Sequence, residues 1–126
     1  MSSNSFAMSE LSMVPSNLAT DWIAAWNSHD LDQVLAFYTD DFEMSSPHIV
    51  NIMGEPSGTL HGKPAIRAYW QKAMGLFPGL HFTLETVYTG ANSVVICYTN
   101  QAGRRCGEIF FFNDEGKCFR SAGNYA

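Results

Sequence analysis

Three segments decide how this chain folds: Val94-Val-Ile-Cys-Tyr-Thr-Asn100, Arg105-Cys-Gly-Glu-Ile-Phe-Phe-Phe112 and Lys117-Cys-Phe-Arg-Ser-Ala-Gly-Asn-Tyr125. β-Branched and aromatic residues recur through them, and turn formers separate them, at Ala102-Gly103 and at Asn113-Asp-Glu-Gly116. Strands joined this tightly run antiparallel, because a parallel pair needs a crossover of a dozen or more residues. Leu80 to Thr89 reads as a further strand, cut from Val94 by Gly90-Ala-Asn92. The second half is therefore expected to be a four-stranded antiparallel meander.

Working towards the N-terminus, the period changes from two to that of a helix. Leu18, Trp22, Ala25, Trp26 and His29 make one helical stripe that starts near Pro15 or Ser16. Asp30-Leu-Asp-Gln33 has the form of a capping box, and Leu31, Val34, Leu35 and Tyr38 follow as a short second helix. Phe42 to Ser46 reads as a short strand ended by Pro47, and His48 to His61 as a long connection. Gly62-Lys63-Pro64 opens a third helix that buries Ile66, Tyr69 or Trp70, Ala73 and Phe77 before Pro78-Gly79 stops it. Helices first and strands afterwards is α+β order, not βαβ alternation.

The chain has 126 residues, so one domain over 15–126 is expected, preceded by a Ser-rich tail over 1–14 with a weak helical option at Ser9 to Met13. With Lys+Arg 7 against Asp+Glu 12, the net charge of -5 disfavours a nucleic-acid partner, which needs clustered cations. No apolar run reaches the length that spans a bilayer, and the N-terminus lacks the basic and apolar regions of a secretory signal. Cys97, Cys106 and Cys118 form no CxxC pair, which fits a reducing cytoplasm. No His or Cys pair has metal-ligand spacing and no P-loop, Rossmann or GxSxG pattern occurs, so neither metal nor cofactor is expected.

Four stretches carry a resemblance: Trp22-Ile-Ala-Ala-Trp-Asn-Ser-His-Asp-Leu-Asp32, Phe37-Tyr-Thr-Asp-Asp41, Gly62-Lys-Pro-Ala-Ile-Arg-Ala-Tyr-Trp70 and Ile109-Phe-Phe-Phe-Asn-Asp-Glu-Gly-Lys117. In this order they resemble the nuclear-transport-factor-2-like superfamily, closest to the SnoaL-like polyketide cyclases and the ketosteroid isomerases. That likeness implies a cystatin-like cone: three N-terminal helices packed on a curved, mostly antiparallel sheet, with an apolar pocket inside. It also implies a homodimer formed through the sheet, and the apolar outward side chains of Ile109 and Phe111, which need a cover, point to the same face. The fold hosts many chemistries and non-enzymes as well.

In the isomerases a carboxylate base precedes a proline, and a Tyr and a protonated Asp hold the dienolate oxygen. On this sequence those places fall on Ser46, Trp22 and Glu108. Serine is no base at neutral pH, and an indole N–H donates without titrating. The resemblance therefore disfavours an unmodified isomerase, while keeping one carboxyl.

Glu108 is the leading catalytic candidate. Alternation puts it on one strand face with Cys106, Phe110 and Phe112, where desolvation would raise its pKa. The alternative is an edge-exposed Glu, or one in a salt bridge with Arg120 as a candidate partner. A simple four-residue turn at Asn113 to Gly116 would set Glu108 opposite Ser121. His48 is a candidate base, or else a loop histidine after a proline. Trp22 is a candidate donor. Trp26, Ser46, Tyr69, Phe110, Phe112 and Ser121 are candidates for contact with substrate, the aromatic ones being core residues on the simpler reading.

The leading expectation is an isomerase, cyclase or dehydratase acting on a small apolar carbonyl compound. A non-catalytic binder of small ligands and a protein-interaction module of the transport-factor type are the alternatives. The segment His48 to Met53, with Ile49, Val50, Ile52 and Met53, is expected to cover the pocket mouth.

Overall fold

Helix α1 (Leu18–Ser28) buries Leu18, Trp22, Ile23, Ala25 and Trp26 along one stripe, as the helical spacing predicts. It ends on His29 in the left-handed region (φ 62), where a ring nitrogen lies 2.7 Å from the Leu80 carbonyl. Asp30 then caps α2 (Leu31–Leu35) by accepting from Asp32 N at 3.0 Å. Gln33 reaches back to the Asp30 carboxylate at 3.3 Å, so the capping pair forms side chain to side chain.

The computed structural model describes residues 14–126. The expected tail and its helical option fall outside the described residues, except that Val14 is buried with the core. Among the described residues the order continues β1 (Tyr38–Ser45), α3 (Pro47–Met53), β2 (Thr59–His61), α4 (Lys63–Leu76), β3 (Thr83–Thr89), β4 (Ser93–Thr99), β5 (Arg105–Phe112) and β6 (Cys118–Tyr125). The strands form one sheet in the order β2-β1-β6-β5-β4-β3. Only β1 and β6 pair in parallel; the other neighbours are antiparallel, and β3 to β6 are the expected meander. The architecture is thus a mixed α+β fold with helices against an open, curved sheet.

Several expectations need correction. Tyr38 does not extend α2; it begins β1 opposite Cys118, with its ring stacked 4.3 Å from Phe42. Residues 48–61 are not a bare connection. Ser46 accepts from His48 N at 3.1 Å and Pro47 takes the first helical position, so the pair starts α3 as well as ending β1. Gly54, at φ 69, closes that helix, whose Ile49 is fully buried. β3 starts at Thr83 instead of Leu80. Before it, Asn27 clamps the Phe82 backbone with two bonds, at 2.8 and 2.9 Å, and ties the strand entry to α1.

Register is the correction that bears on function. Glu108 pairs with Gly123, and Ser121 pairs with Phe110. The hairpin closes from Asn113 N to Lys117 O (2.9 Å), a residue later than expected. Register then shifts again between Phe111 and Phe112, where Phe119 is the extra residue of a bulge.

Burial alternates along β5, with Cys106, Glu108, Phe110 and Phe112 inward. Inward Val94, Ile96 and Tyr98 of β4 lie beside them, and Trp22 of α1 meets the rings of Tyr98 and Phe110. Arg120 lies on the opposite face, 4.5 Å over the Phe111 ring, so it does not pair with Glu108. No described helix is long and apolar enough to cross a membrane.

Candidate active site

Between the helices and the inner sheet face lies a cavity of about 290 Å³. Trp22, Trp26, Tyr69, Trp70 and Phe82 supply much of its aromatic wall. The helical stripe of α1 and the i, i+1 pair of α4 bring those rings together. Trp26 and Trp70 meet edge-on at 5.0 Å, and Phe82 stacks on Trp22 at 5.9 Å.

Glu108 is on this wall and 4% exposed. Its Oε1 accepts from the Tyr98 hydroxyl at 3.1 Å, while Oε2 is buried without a partner. Burial pushes its pKa up from 4.5 to about 7, against a smaller lowering by the Tyr98 bond. Burial together with the Glu108 charge pushes Tyr98 well above the usual phenol range, so Tyr98 stays neutral and keeps its proton to donate. Gly123 makes room for this arrangement. A Cβ there would come within 2.9 Å of the Tyr125 hydroxyl and 3.1 Å of Glu108 Oε1.

A second group of polar residues adjoins it. Ser46 is buried and caps α3, and its nearby hydroxyl lowers the pKa of both Tyr69 and Tyr125 against the larger effect of burial. Burial nevertheless raises Tyr69 to about 12 and Tyr125 beyond that. His48 lines the cavity with its ring 4.4 Å from that of Tyr125. Partial burial, and then the nearby Arg104 charge, lower its pKa from 6.5, which keeps the imidazole neutral at pH 7.

The residues expected from sequence divide into four groups. Glu108, His48, Trp26 and Tyr69 line the cavity, and Trp26 Nε1 is a buried donor without a partner. Trp22 also lines it, but its N–H is engaged: it donates to Tyr38 Oη at 3.0 Å, which removes it as a donor to a ligand. Phe110, Phe112 and Ser121 are too deep. Phe110 is wedged against Trp22 at 5.3 Å and Phe112 at 6.2 Å, and Ser121 sits opposite Phe110 with its hydroxyl buried and unpartnered. They pack the core behind the cavity. Ser46 is not on the wall either; it caps α3.

Sequence reasoning missed Tyr98, Tyr125 and Arg104, all on the wall. The signal for Tyr98 was present, since the alternation of β4 places it inward with Val94 and Ile96. Tyr125 was hidden by the register of β6. Among the described residues no group of His, Cys, Asp or Glu is arranged to hold a metal.

Fold and site define a hollow α+β protein with a carboxyl buried in its pocket. The SnoaL-like domain model matches residues 19–121, and the chain belongs to that family. A SnoaL-like protein of unknown function from Burkholderia thailandensis is 44% identical, with a TM-score of 0.84, over 87% of this chain and 92% of that one. IdmH from Streptomyces antibioticus, a proposed polyketide cyclase, is similar at 17% identity, with a TM-score of 0.72, over 88% and 91% of the two chains. TerC, crystallised with polyporic acid, is similar at 16% identity, with a TM-score of 0.71, over 85% and 87%. At such identities the last two likenesses speak for the fold alone. No curated protein matches the chain in sequence.

Proposed function

We propose that the protein is an enzyme that moves a proton on a small, mainly apolar carbonyl compound, in an isomerisation, cyclisation or dehydration. The observation that carries this reading is the buried Glu108 carboxyl, with one oxygen held by Tyr98 and the other without a partner beside an aromatic cavity.

A carboxyl with a pKa of about 7 is present in both forms at neutral pH, which suits a group that gives and takes a proton in one cycle. Because Oε1 accepts from Tyr98, the proton of the neutral form belongs on Oε2, which then donates to a ligand carbonyl. Once that proton has passed to the carbonyl oxygen, Tyr98 stabilises the carboxylate at Oε1, and Oε2 takes a proton from the carbon next to the carbonyl, which leaves the neutral enol and restores the neutral acid. The aromatic walls exclude water and strengthen both interactions. His48, neutral at pH 7, is the second proton acceptor on the wall.

The experiment is turnover of a panel of aromatic and alicyclic ketones and β-diketones, followed by mass spectrometry and deuterium wash-in at the carbon next to the carbonyl. Wild-type protein should exchange that deuterium, and Glu108→Gln should bind the same compounds without exchanging it. Equal exchange by both proteins would refute the role of Glu108. Tight binding with no exchange by wild type would establish instead a non-catalytic binding protein. The open cavity argues against the transport-factor type of interaction module, which needs no hollow interior.

A further inference from the structure

We infer that the ligand of this cavity carries a planar oxyanion, a carboxylate or an ionised enol, which Arg104 binds at the rim while the neutral carbonyl end lies at Glu108. The inference rests on the reading of the cavity as a ligand site and adds the chemical class of the ligand.

Arg104 and Glu108 are the only Asp, Glu, Lys or Arg residues among the described residues lining the cavity. They differ in setting, because Glu108 is buried and Arg104 is exposed. The chain is acidic, yet no Asp or Glu side chain among the described residues pairs with Arg104. The neighbouring histidine does not compete for an anion, because His48 stays neutral next to this guanidinium.

The guanidinium is held in place before any ligand arrives. Asn100 Oδ1 accepts from Ala102 N and Arg104 N, each at 3.0 Å, and the Asn100 backbone closes the loop with bonds of 2.9 Å to Gly103 and Arg104. The side chain is then fixed by Nε donating to the Ala126 backbone oxygen at 2.9 Å, with its carbon 5.4 Å from the Tyr125 ring centroid. No Asp or Glu side chain among the described residues engages the two terminal nitrogens. Their planar fork suits two oxygens that share one negative charge. Asn100 and Gln101, on the same stretch of wall, add neutral polar groups.

The test is calorimetric binding of two matched pairs. 4-Oxo-4-phenylbutanoate against its methyl ester probes a carboxylate, and 2-hydroxy-1,4-naphthoquinone against 1,4-naphthoquinone probes an ionised enol. Wild-type protein should prefer the anion of at least one pair, and the pair that shows it identifies the source of the charge. Arg104→Gln should weaken that anion about tenfold to a hundredfold and leave the neutral partner within about twofold. Arg104→Lys should recover part of the loss. Arg105→Gln, which removes the adjacent charge on the outer sheet face, should change nothing. Equal affinity for anion and neutral partner in wild type, or equal weakening of both by Arg104→Gln, overturns the inference and leaves the cavity reading intact. Failure of all four compounds to bind overturns both.

Discussion

Replacing Glu108 by Gln should make the protein gain stability relative to wild type as pH rises, although it alters the centre of the site. In the folded state the carboxyl has its pKa raised from 4.5 to about 7, because it is buried. Below the unfolded value it is protonated in both states, and the shift costs nothing. Between 4.5 and about 7 the unfolded chain releases a proton that the folded chain keeps, so folding becomes less favourable as pH rises. At about 1.4 kcal/mol per pH unit, the penalty reaches roughly 3 kcal/mol and levels off above pH 7. Glutamine does not ionise and carries no such penalty. It introduces an amide N–H₂ where Oε2 lacks a partner, which costs about 1 to 3 kcal/mol at every pH. The pH-dependent part is therefore the quantity to read. Urea unfolding of both proteins at intervals from pH 4 to pH 8 should show the difference moving in favour of glutamine by roughly 3 kcal/mol. Other carboxylates cancel in that comparison. Parallel stability curves, or a carbon-13 titration of Glu108 with a midpoint near 4.5, would refute the desolvated setting on which the proposed chemistry depends.

The remaining predictions concern space, core and assembly. Gly123→Ala places a methyl group against the Tyr125 hydroxyl and Glu108 Oε1, so ligand affinity should fall by more than the stability, whose loss should be at most about 1 kcal/mol because both obstacles are side-chain ends; calorimetry beside urea unfolding compares the two. Trp22→Phe leaves the buried Tyr38 hydroxyl without its donor and removes core volume, and should cost about 3 kcal/mol in urea unfolding with no change in the pH dependence assigned to Glu108. The outer sheet face carries Val95, Ile109 and Phe111 with exposed Tyr88, and is expected to pair with a second copy of the chain. Sedimentation should show a dimer at micromolar concentration that Ile109→Glu disrupts; a monomer in wild type would contradict this.

Local pattern carried much of this protein in its sequence. A period of 3.6 in α1 and α4 and a period of two from Ser93 to Phe112 depend on neighbouring residues alone, and so they gave the α+β order, the meander and the inward face of Glu108. What local pattern lacks is the relation between segments. Ser46-Pro47 both ends a strand and starts a helix, and burial of Ile49 against the rest of the fold favours the helix. The partner of Glu108 depended on where the turn closes and on one bulge, each of which moves every later pairing by a residue. The depth of a side chain was equally invisible. Alternation puts Phe110, Phe112 and Glu108 on one face, but the approach of Trp22 fills the space over Phe110 and leaves it open over Glu108. Trp22 keeps its N–H for Tyr38 because two segments far apart in sequence meet there. The sequence by itself thus determined which residues face inward, since that follows from backbone period; only the tertiary structure decided which of them border empty space, since a cavity is what distant segments together leave unfilled.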